Sequence, residues 1–177
     1  MLSEGEVMSK TIELVPWSIA YKQKVIVPEE LNQKITSLRS NEAVIVTLNG
    51  SFDLLHAGHL QIIYEASQLG DVLIVALNSD ESIKRYKNPN RPLISLEYRL
   101  QMMAALEFVN FVTWFEEMDP CLLLSEIKPD IHVNGSEYGH QCIEAKTVCQ
   151  NGGTIHIVPL MPGLSTSSII KKIQGLI

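Results

Sequence analysis

Residues 49–60 read NGSFDLLHAGHL, directly after the unbroken apolar run AVIVTL at 43–48. That run is rich in β-branched residues and breaks at Gly50, the pattern of a buried strand. Beyond the turn, the spacing predicts a helix over 58–69. The corner between the two holds His56 and His59, two of only five histidines, with Gly58 between them. A helix starting there offers unpaired backbone N–H groups and the positive end of its dipole, which together favour an anion. Two imidazoles at the same terminus add ring N–H donors, and a glycine lets a ligand come close to the backbone. The corner suits a phosphate, although a histidine pair at a helix start otherwise serves only as a cap or a surface feature.

Working outward, strand and helix alternate. Strands are predicted at 71–78 (DVLIVALN), 111–115 (FVTWF), 131–135 (IHVNG) and 154–160 (TIHIVPL). Helices are predicted at 96–106, 120–127, 141–150 and 167–173. A lead-in helix over about 28–41 carries Leu31, Ile35 and Leu38 at helical spacing, with Pro28 in its first turn. Trp114, Phe115, Met102 and Met103 read as core. Apolar strands separated by helices imply an α/β fold, a doubly wound Rossmann-like parallel sheet of about five strands covered on both faces. Ligands of such sheets bind beyond the carboxyl ends of the strands. Residues 1–24 read as an N-terminal extension and 25–177 as one domain.

Composition narrows the ligand. The chain has 177 residues, 46% of them hydrophobic, enough for one substantial core. A net charge of −6 argues against a broad nucleic-acid surface and for a small-molecule substrate. No run approaches the roughly 20 apolar residues that span a bilayer, and the start lacks a signal-peptide pattern, so a cytoplasmic protein is expected. Cys121, Cys142 and Cys149 contain no CxxC pair, which suggests neither a disulfide framework nor structural zinc. Cys142 and Cys149, seven apart on a predicted helix, read as core; His140 with Cys142 is a weaker metal-pair alternative. No metal ligands are assigned.

Neither GxxxxGK[ST] nor GxGxxG occurs, so polar side chains and helix termini must hold any phosphate. STSS at 165–168 opens the last helix with small hydroxyl residues that cap it and can donate to an anion. Lys84, Arg85 and Lys87 form a cationic cluster that in most proteins is a solvated loop.

The HAGH of His56 to His59 resembles the HxGH signature of the cytidylyltransferase-like nucleotidylyltransferase superfamily. LIVALNSD (73–80), the segment 84–112, KPDIHVNGSEY (128–138) and the segment 151–173 come after it in the expected order. Together they resemble the bacterial D-glycero-β-D-manno-heptose 1-phosphate adenylyltransferases, the ADP-heptose synthase domain. The resemblance implies in-line attack of a sugar phosphate on the α-phosphorus of ATP with release of pyrophosphate, usually with Mg2+. It implies catalytic roles for His56, His59 and Lys87. It also implies nucleotide-binding roles for Gly50, Ser51, Phe52, Gly58, Asp80, Arg99, Ser165, Thr166 and Ser167. Asp53 instead reads as a turn cap, and Arg99 has an alternative as the ion-pair partner of Glu97 or Glu107.

The stripe of Leu31, Ile35 and Leu38 on the lead-in helix must pack against the domain or against another copy, and a two-fold homodimer, the commonest soluble assembly, is expected; the resembling enzymes are often fused to a sugar kinase, which is expected here on a separate chain. Asn134 stands where the resembling proteins carry a lysine, so an amide replaces a cation there. The alternatives are a cytidylyltransferase for glycerol 3-phosphate, using CTP, and a catalytically silent nucleotide-binding protein. The former tends to carry tryptophan where Ala57 stands.

Overall fold

The computed structural model describes residues 14–176. A short helix α1 (Trp17–Ala20) and a 3-10 turn lead to a second 3-10 turn at Pro28–Glu30 and then α2 (Leu31–Ser40). Next come β1 (Ile45–Gly50), α3 (Ala57–Ser67), β2 (Val72–Asn78), α4 (Asp80–Tyr86) and α5 (Leu96–Ala104). The rest is β3 (Phe111–Phe115), α6 (Cys121–Ile127), β4 (Ile131–Gly135), α7 (Ala145–Gln150), β5 (Thr154–Val158) and α8 (Thr166–Gln174).

All five strands are parallel, in the order β3-β2-β1-β4-β5. The expected doubly wound α/β sheet is therefore what forms. β1 lies at its centre, so the chain leaves β1 toward β2 on one side and reaches β4 on the other. That reversal opens a crevice at the carboxyl end of β1.

Burial explains the strand composition. β2 is buried at every position after Val72, and β1 is buried from Ile45 to Leu48, because helices cover both faces. On one face Val46, Leu48, Ile63, Val75 and Met103 pack beneath α3 and α5. On the other, Ile45, Ile74, Leu31, Ile35, Leu123 and Ile127 pack beneath α2 and α6. Leu31 and Ile35 thus bury their stripe inside this chain, and Leu38 packs against the same cluster. Arg39 holds α2 down: its Nη1 donates to Asp130 Oδ2 at 2.6 Å, and the same oxygen accepts from the Ile45 N–H at 2.7 Å.

Several boundaries shift. The last strand stops at Val158, two residues before the predicted end, and the helix predicted over 141–150 forms only from Ala145. Cys142 therefore lies in the preceding turn, so it does not share a helix face with Cys149. Among the described residues no cluster of three or more His, Cys, Asp or Glu side chains could hold a metal ion. No helix of the described residues is long and apolar enough to cross a membrane.

The segment before residue 25 is built into the domain where it is described. Trp17 Nε1 donates to Gln101 Oε1 at 2.9 Å, Tyr21 packs on the α3–α5 side of the core, and Lys24 Nζ donates to the Leu106 carbonyl at 2.9 Å.

Candidate active site

The carboxyl end of β1 runs into a turn in which Phe52 takes a left-handed backbone conformation, φ 45°. A non-glycine residue adopts that conformation only when its surroundings fix it. Here the buried Phe52 ring does so, packing into the core and meeting the His59 ring edge-on at 5.2 Å. Gly50 leaves room for it, since a Cβ there would stand 3.0 Å from Phe52 Cε2 and would press on the ring.

α3 starts one residue earlier than predicted, and His56 is its N-cap. Nδ1 of His56 accepts from the backbone N–H of His59 at 3.3 Å. A ring nitrogen that accepts carries no proton, so the neutral imidazole holds its proton on Nε2 and is a donor there. The two rings stack, with centroids 3.7 Å apart and planes at 16°. Burial pushes the His59 pKa down to about 4, with the neighbouring His56 and Lys87 acting in the same direction. Burial lowers His56 as well. At neutral pH the pair is uncharged.

Both rings line a cavity of about 390 Å³ that opens over the carboxyl ends of the strands. Gly50, Ser51, Phe52, Gly58, Lys87, Ser165 and Thr166 also line it. Nine of the residues read from the sequence are thereby brought together. Ser165 caps α8: its hydroxyl accepts from the Ser168 N–H at 3.1 Å, and Ser168 Oγ accepts from the Ser165 N–H at 3.0 Å. Thr166 Oγ1 reaches back to the Leu54 carbonyl at 3.5 Å, which ties α8 to the histidine turn. Two helix N-termini, of α3 and α8, so meet at one cavity, each favouring negative charge.

Three predicted residues lie outside the cavity wall: Ser167, Asp80 and Arg99. Arg99 is wholly buried, and four of its five N–H donors are used within the protein. Nε donates to Ile94 O at 2.9 Å, Nη1 to Ser51 O at 2.7 Å and Asn78 O at 2.9 Å, and Nη2 to Asp80 Oδ1 at 2.7 Å. Its ion-pair partner is thus Asp80, in place of Glu97 or Glu107. The guanidinium clamps the carbonyls at the ends of β1 and β2, and with no solvent exposure it does not reach the cavity.

The loop expected around Lys84 to Lys87 is instead the end of a helix. Ser79 caps α4 by accepting from the Ser82 N–H at 3.1 Å, and Asp80 and Glu81 fill its acidic first turn. That start signal is present in the sequence as SDES. α4 delivers Tyr86, whose hydroxyl hydrogen-bonds to Ser51 Oγ, and places Lys87 at the cavity rim. Lys84 is drawn away by Glu81 at 2.6 Å.

Arg91, which no sequence motif singles out, also lines the cavity. Its Nε pairs with Asp53 at 2.5 Å, and Asp53 Oδ1 accepts from the N–H groups of Leu93 and Ile94 at 2.7 and 2.8 Å. Asp53 is therefore a buried staple joining the histidine turn to the loop after α4, not merely a local turn cap. On the opposite wall stand Asn134 and Glu144, both almost fully buried, with Asn134 Nδ2 donating to Glu144 Oε2 at 3.3 Å.

Comparison with known proteins bears on this arrangement. The model of the family described as Cytidylyltransferase-like matches residues 47–172. "Bifunctional protein HldE" of Syntrophotalea carbinolica is 38% identical over 157 residues, covering 88% of this chain and 32% of that protein. HldE of Salmonella arizonae is 44% identical over 151 residues, covering 85% of this chain and 32% of that protein. This chain spans about a third of the length of these curated relatives. Among solved structures, the lipopolysaccharide core biosynthesis protein from Thermoplasma volcanium superposes with a TM-score of 0.55 at 30% identity, covering 67% of this chain and 97% of that one. A pantoate-β-alanine ligase from Francisella tularensis superposes at 0.56 and 20% identity, covering 84% and 73%, a likeness of fold.

Proposed function

This chain belongs to the cytidylyltransferase-like family, and from that membership we propose that it is a nucleotidyltransferase joining the AMP part of ATP to a sugar 1-phosphate, releasing pyrophosphate. The observation that carries the reading is the stacked His56–His59 pair at the N-terminus of α3, inside the cavity at the switch point of the sheet. The acceptor is proposed as a heptose 1-phosphate in the supply of activated heptose for lipopolysaccharide core. The identity to HldE proteins and to the Thermoplasma lipopolysaccharide core biosynthesis protein supports this choice.

The chemistry needs no enzyme nucleophile. An oxygen of the acceptor phosphate attacks the α-phosphorus of ATP in line, a P–O bond forms, and pyrophosphate departs with the electrons of the bond it leaves. Charge gathers on the phosphoryl oxygens, so preorganised donors lower the barrier. His56 donates through Nε2–H, His59 lies stacked against it, and Lys87 and Arg91 supply cationic charge from the other side. The N-termini of α3 and α8 add backbone N–H groups without reorganisation. Mg2+, which prefers to keep several waters and ride on substrate phosphates, would enter with the triphosphate.

A panel of nucleoside triphosphates and sugar phosphates, scored for pyrophosphate release, tests the proposal. ATP with heptose 1-phosphate should exceed CTP with any acceptor by at least tenfold in kcat/KM, about 1.4 kcal/mol of transition-state binding. A preference for CTP with glycerol 3-phosphate would assign the alternative activity, and no turnover with any pair would leave a silent nucleotide binder. The same reading requires a kinase that phosphorylates the sugar beforehand. It also carries a proposed two-fold homodimer, which light scattering would show as twice 19.8 kDa.

A further inference from the structure

With both histidines neutral, full positive charge enters the cavity from two of its lining side chains, Lys87 and Arg91. They are held very differently. Lys87 is exposed at the end of α4, whereas the Arg91 side chain is 12% exposed and packs on an Asp53 side chain that is 1% exposed. Both oxygens of Asp53 are occupied: Oδ1 accepts from the N–H groups of Leu93 and Ile94, and Oδ2 from Arg91 Nε. Asp53 therefore offers a ligand little directly and instead fixes the direction of the guanidinium. Nε is the nitrogen it engages; among the described residues nothing accepts from Nη1 or Nη2. Four N–H donors of Arg91 thus stand at the cavity wall almost out of reach of bulk solvent, an arrangement that is costly unless an acceptor arrives. Arg99 is the contrast within the same chain, since four of its five donors meet protein oxygens.

The position of Arg91 follows from the same contacts. Asp53 belongs to the turn that carries His56, and the next residue, Leu54, gives its carbonyl to Thr166 Oγ1 at the start of α8. The turn is gripped by Arg91 from the loop after α4 and by α8 through Thr166, so the guanidinium, the histidine pair and the α8 N-terminus line one space. A single phosphate monoester uses two donors of a guanidinium fork. Two phosphates joined through one oxygen present acceptors enough for all four.

We propose that Arg91, oriented by Asp53 as its positioning residue, is a catalytic residue that binds the two outer phosphates of the nucleoside triphosphate and the pyrophosphate they become. This rests on the nucleotidyltransferase reading of the site. As the acceptor oxygen bonds to the α-phosphorus, the bond from that phosphorus to the bridging oxygen breaks, and its electron pair stays on the departing pyrophosphate. The guanidinium meets that new charge without moving a proton, and a contact that strengthens as the charge develops raises kcat.

Calorimetric titration with inorganic pyrophosphate, inorganic phosphate and AMP tests the assignment. The unmodified protein should bind pyrophosphate at least tenfold more tightly than phosphate. Arg91→Gln should lose about tenfold or more in pyrophosphate affinity while AMP affinity stays within twofold. Arg91→Lys, which keeps the charge without the fork, should recover part of the loss. Asp53→Asn should weaken pyrophosphate binding in the unmodified background and change it less than twofold in the Arg91→Gln background, because Asp53 acts through the arginine. Equal affinity of the unmodified protein for pyrophosphate and phosphate overturns the proposal even if every variant fails to fold. So does an Arg91→Gln variant with an unchanged thermal melt that keeps its pyrophosphate affinity or loses AMP equally. Full recovery in Arg91→Lys overturns the fork, and equal Asp53→Asn losses in both backgrounds overturn the positioning role. The two readings fail separately: pyrophosphate release at undiminished kcat/KM in folded Arg91→Gln defeats this assignment alone. Pyrophosphate binding dependent on Arg91, in a protein that releases none from any triphosphate, defeats the proposed reaction alone.

Discussion

Arg99 Nη2 lies 2.7 Å from Asp80 Oδ1, and the arginine end of this pair has no solvent exposure at all. The same aspartate oxygen accepts from the Leu96 N–H at 2.8 Å, so a single carboxylate joins the starts of α4 and α5. Arg99 then carries the link to the ends of β1 and β2. Removing the arginine leaves the carbonyls of Ser51, Asn78 and Ile94 without their donor, beside an Asp80 carboxylate that is one-third exposed, a loss on the order of 3 kcal/mol. Arg99→Met should therefore lower the melting temperature by roughly 8 °C or more, taking about 2–4 °C per kcal/mol for a domain of this size. A melt like that of the unmodified protein would show that the clamp contributes nothing to the fold.

His59→Ala should lower kcat by about a hundredfold or more, the usual loss for one preorganised donor, with the fold retained. Its thermal melt must be recorded beside the kinetics. A folded His59→Ala enzyme of normal kcat would end the case for the histidine pair.

Gly58→Ala separates chemistry from stability more sharply. A Cβ at this position would stand 3.2 Å from both Cε1 and Nδ1 of His56, tighter than ordinary contact, so the imidazole must give way by a few tenths of an ångström. Alanine is meanwhile the better helix former by about 1 kcal/mol. The expected outcome is an unchanged or higher melting temperature with kcat/KM reduced about tenfold. Calorimetry and steady-state kinetics on one preparation check it, and full activity would mean that the His56 ring position is not critical.

Acid should destabilise the protein through its buried imidazoles. Burial pushes His132 down to about 3 and His59 to about 4, against about 6.5 when unfolded. Between those values the unfolded chain binds more protons than the folded one, so stability rises with pH across this window. It is fully present above about pH 6.5 and is lost progressively as pH falls toward 3. His132 is held neutral on β4 with Nδ1 hydrogen-bonded to Thr47 Oγ1 at 2.8 Å. Nuclear magnetic resonance should find both rings uncharged at pH 5.5; a His132 titrating near 6.5 in the folded protein would contradict this. Inorganic pyrophosphate should raise the His59 midpoint and leave that of His132 in place.

The strands were legible because this sheet is covered on both faces and its inner strands are nearly continuous apolar runs. The histidine corner was legible because its chemistry is local, strand, turn and helix start within twelve residues. Burial of polar residues was not. Asp80 and Arg99 read as ligand contacts, and only the three-dimensional packing shows that the guanidinium faces four protein oxygens. α4 escaped notice because its seven residues are too short for a periodic stripe, although Ser79 and the acidic turn after it mark its start. Glu144 carried no local signal: it falls inside a predicted helix that in fact begins one residue later, and its burial beside Asn134 follows only from packing.

The residues ahead of α2 have a consequence for how this protein behaves among other copies of itself. Val25 pairs with Val112 on the outer side of β3, and the Ile26 N–H donates to the Val112 carbonyl at 2.8 Å. β3 is an outermost strand of the sheet, and an unpaired row of backbone groups there is a template for another chain. Val25 and Ile26 act as a guard rail along that margin. A chain begun after Ile26 should keep its active-site corner yet lose colloidal stability, clumping on concentration through strands it would otherwise keep covered.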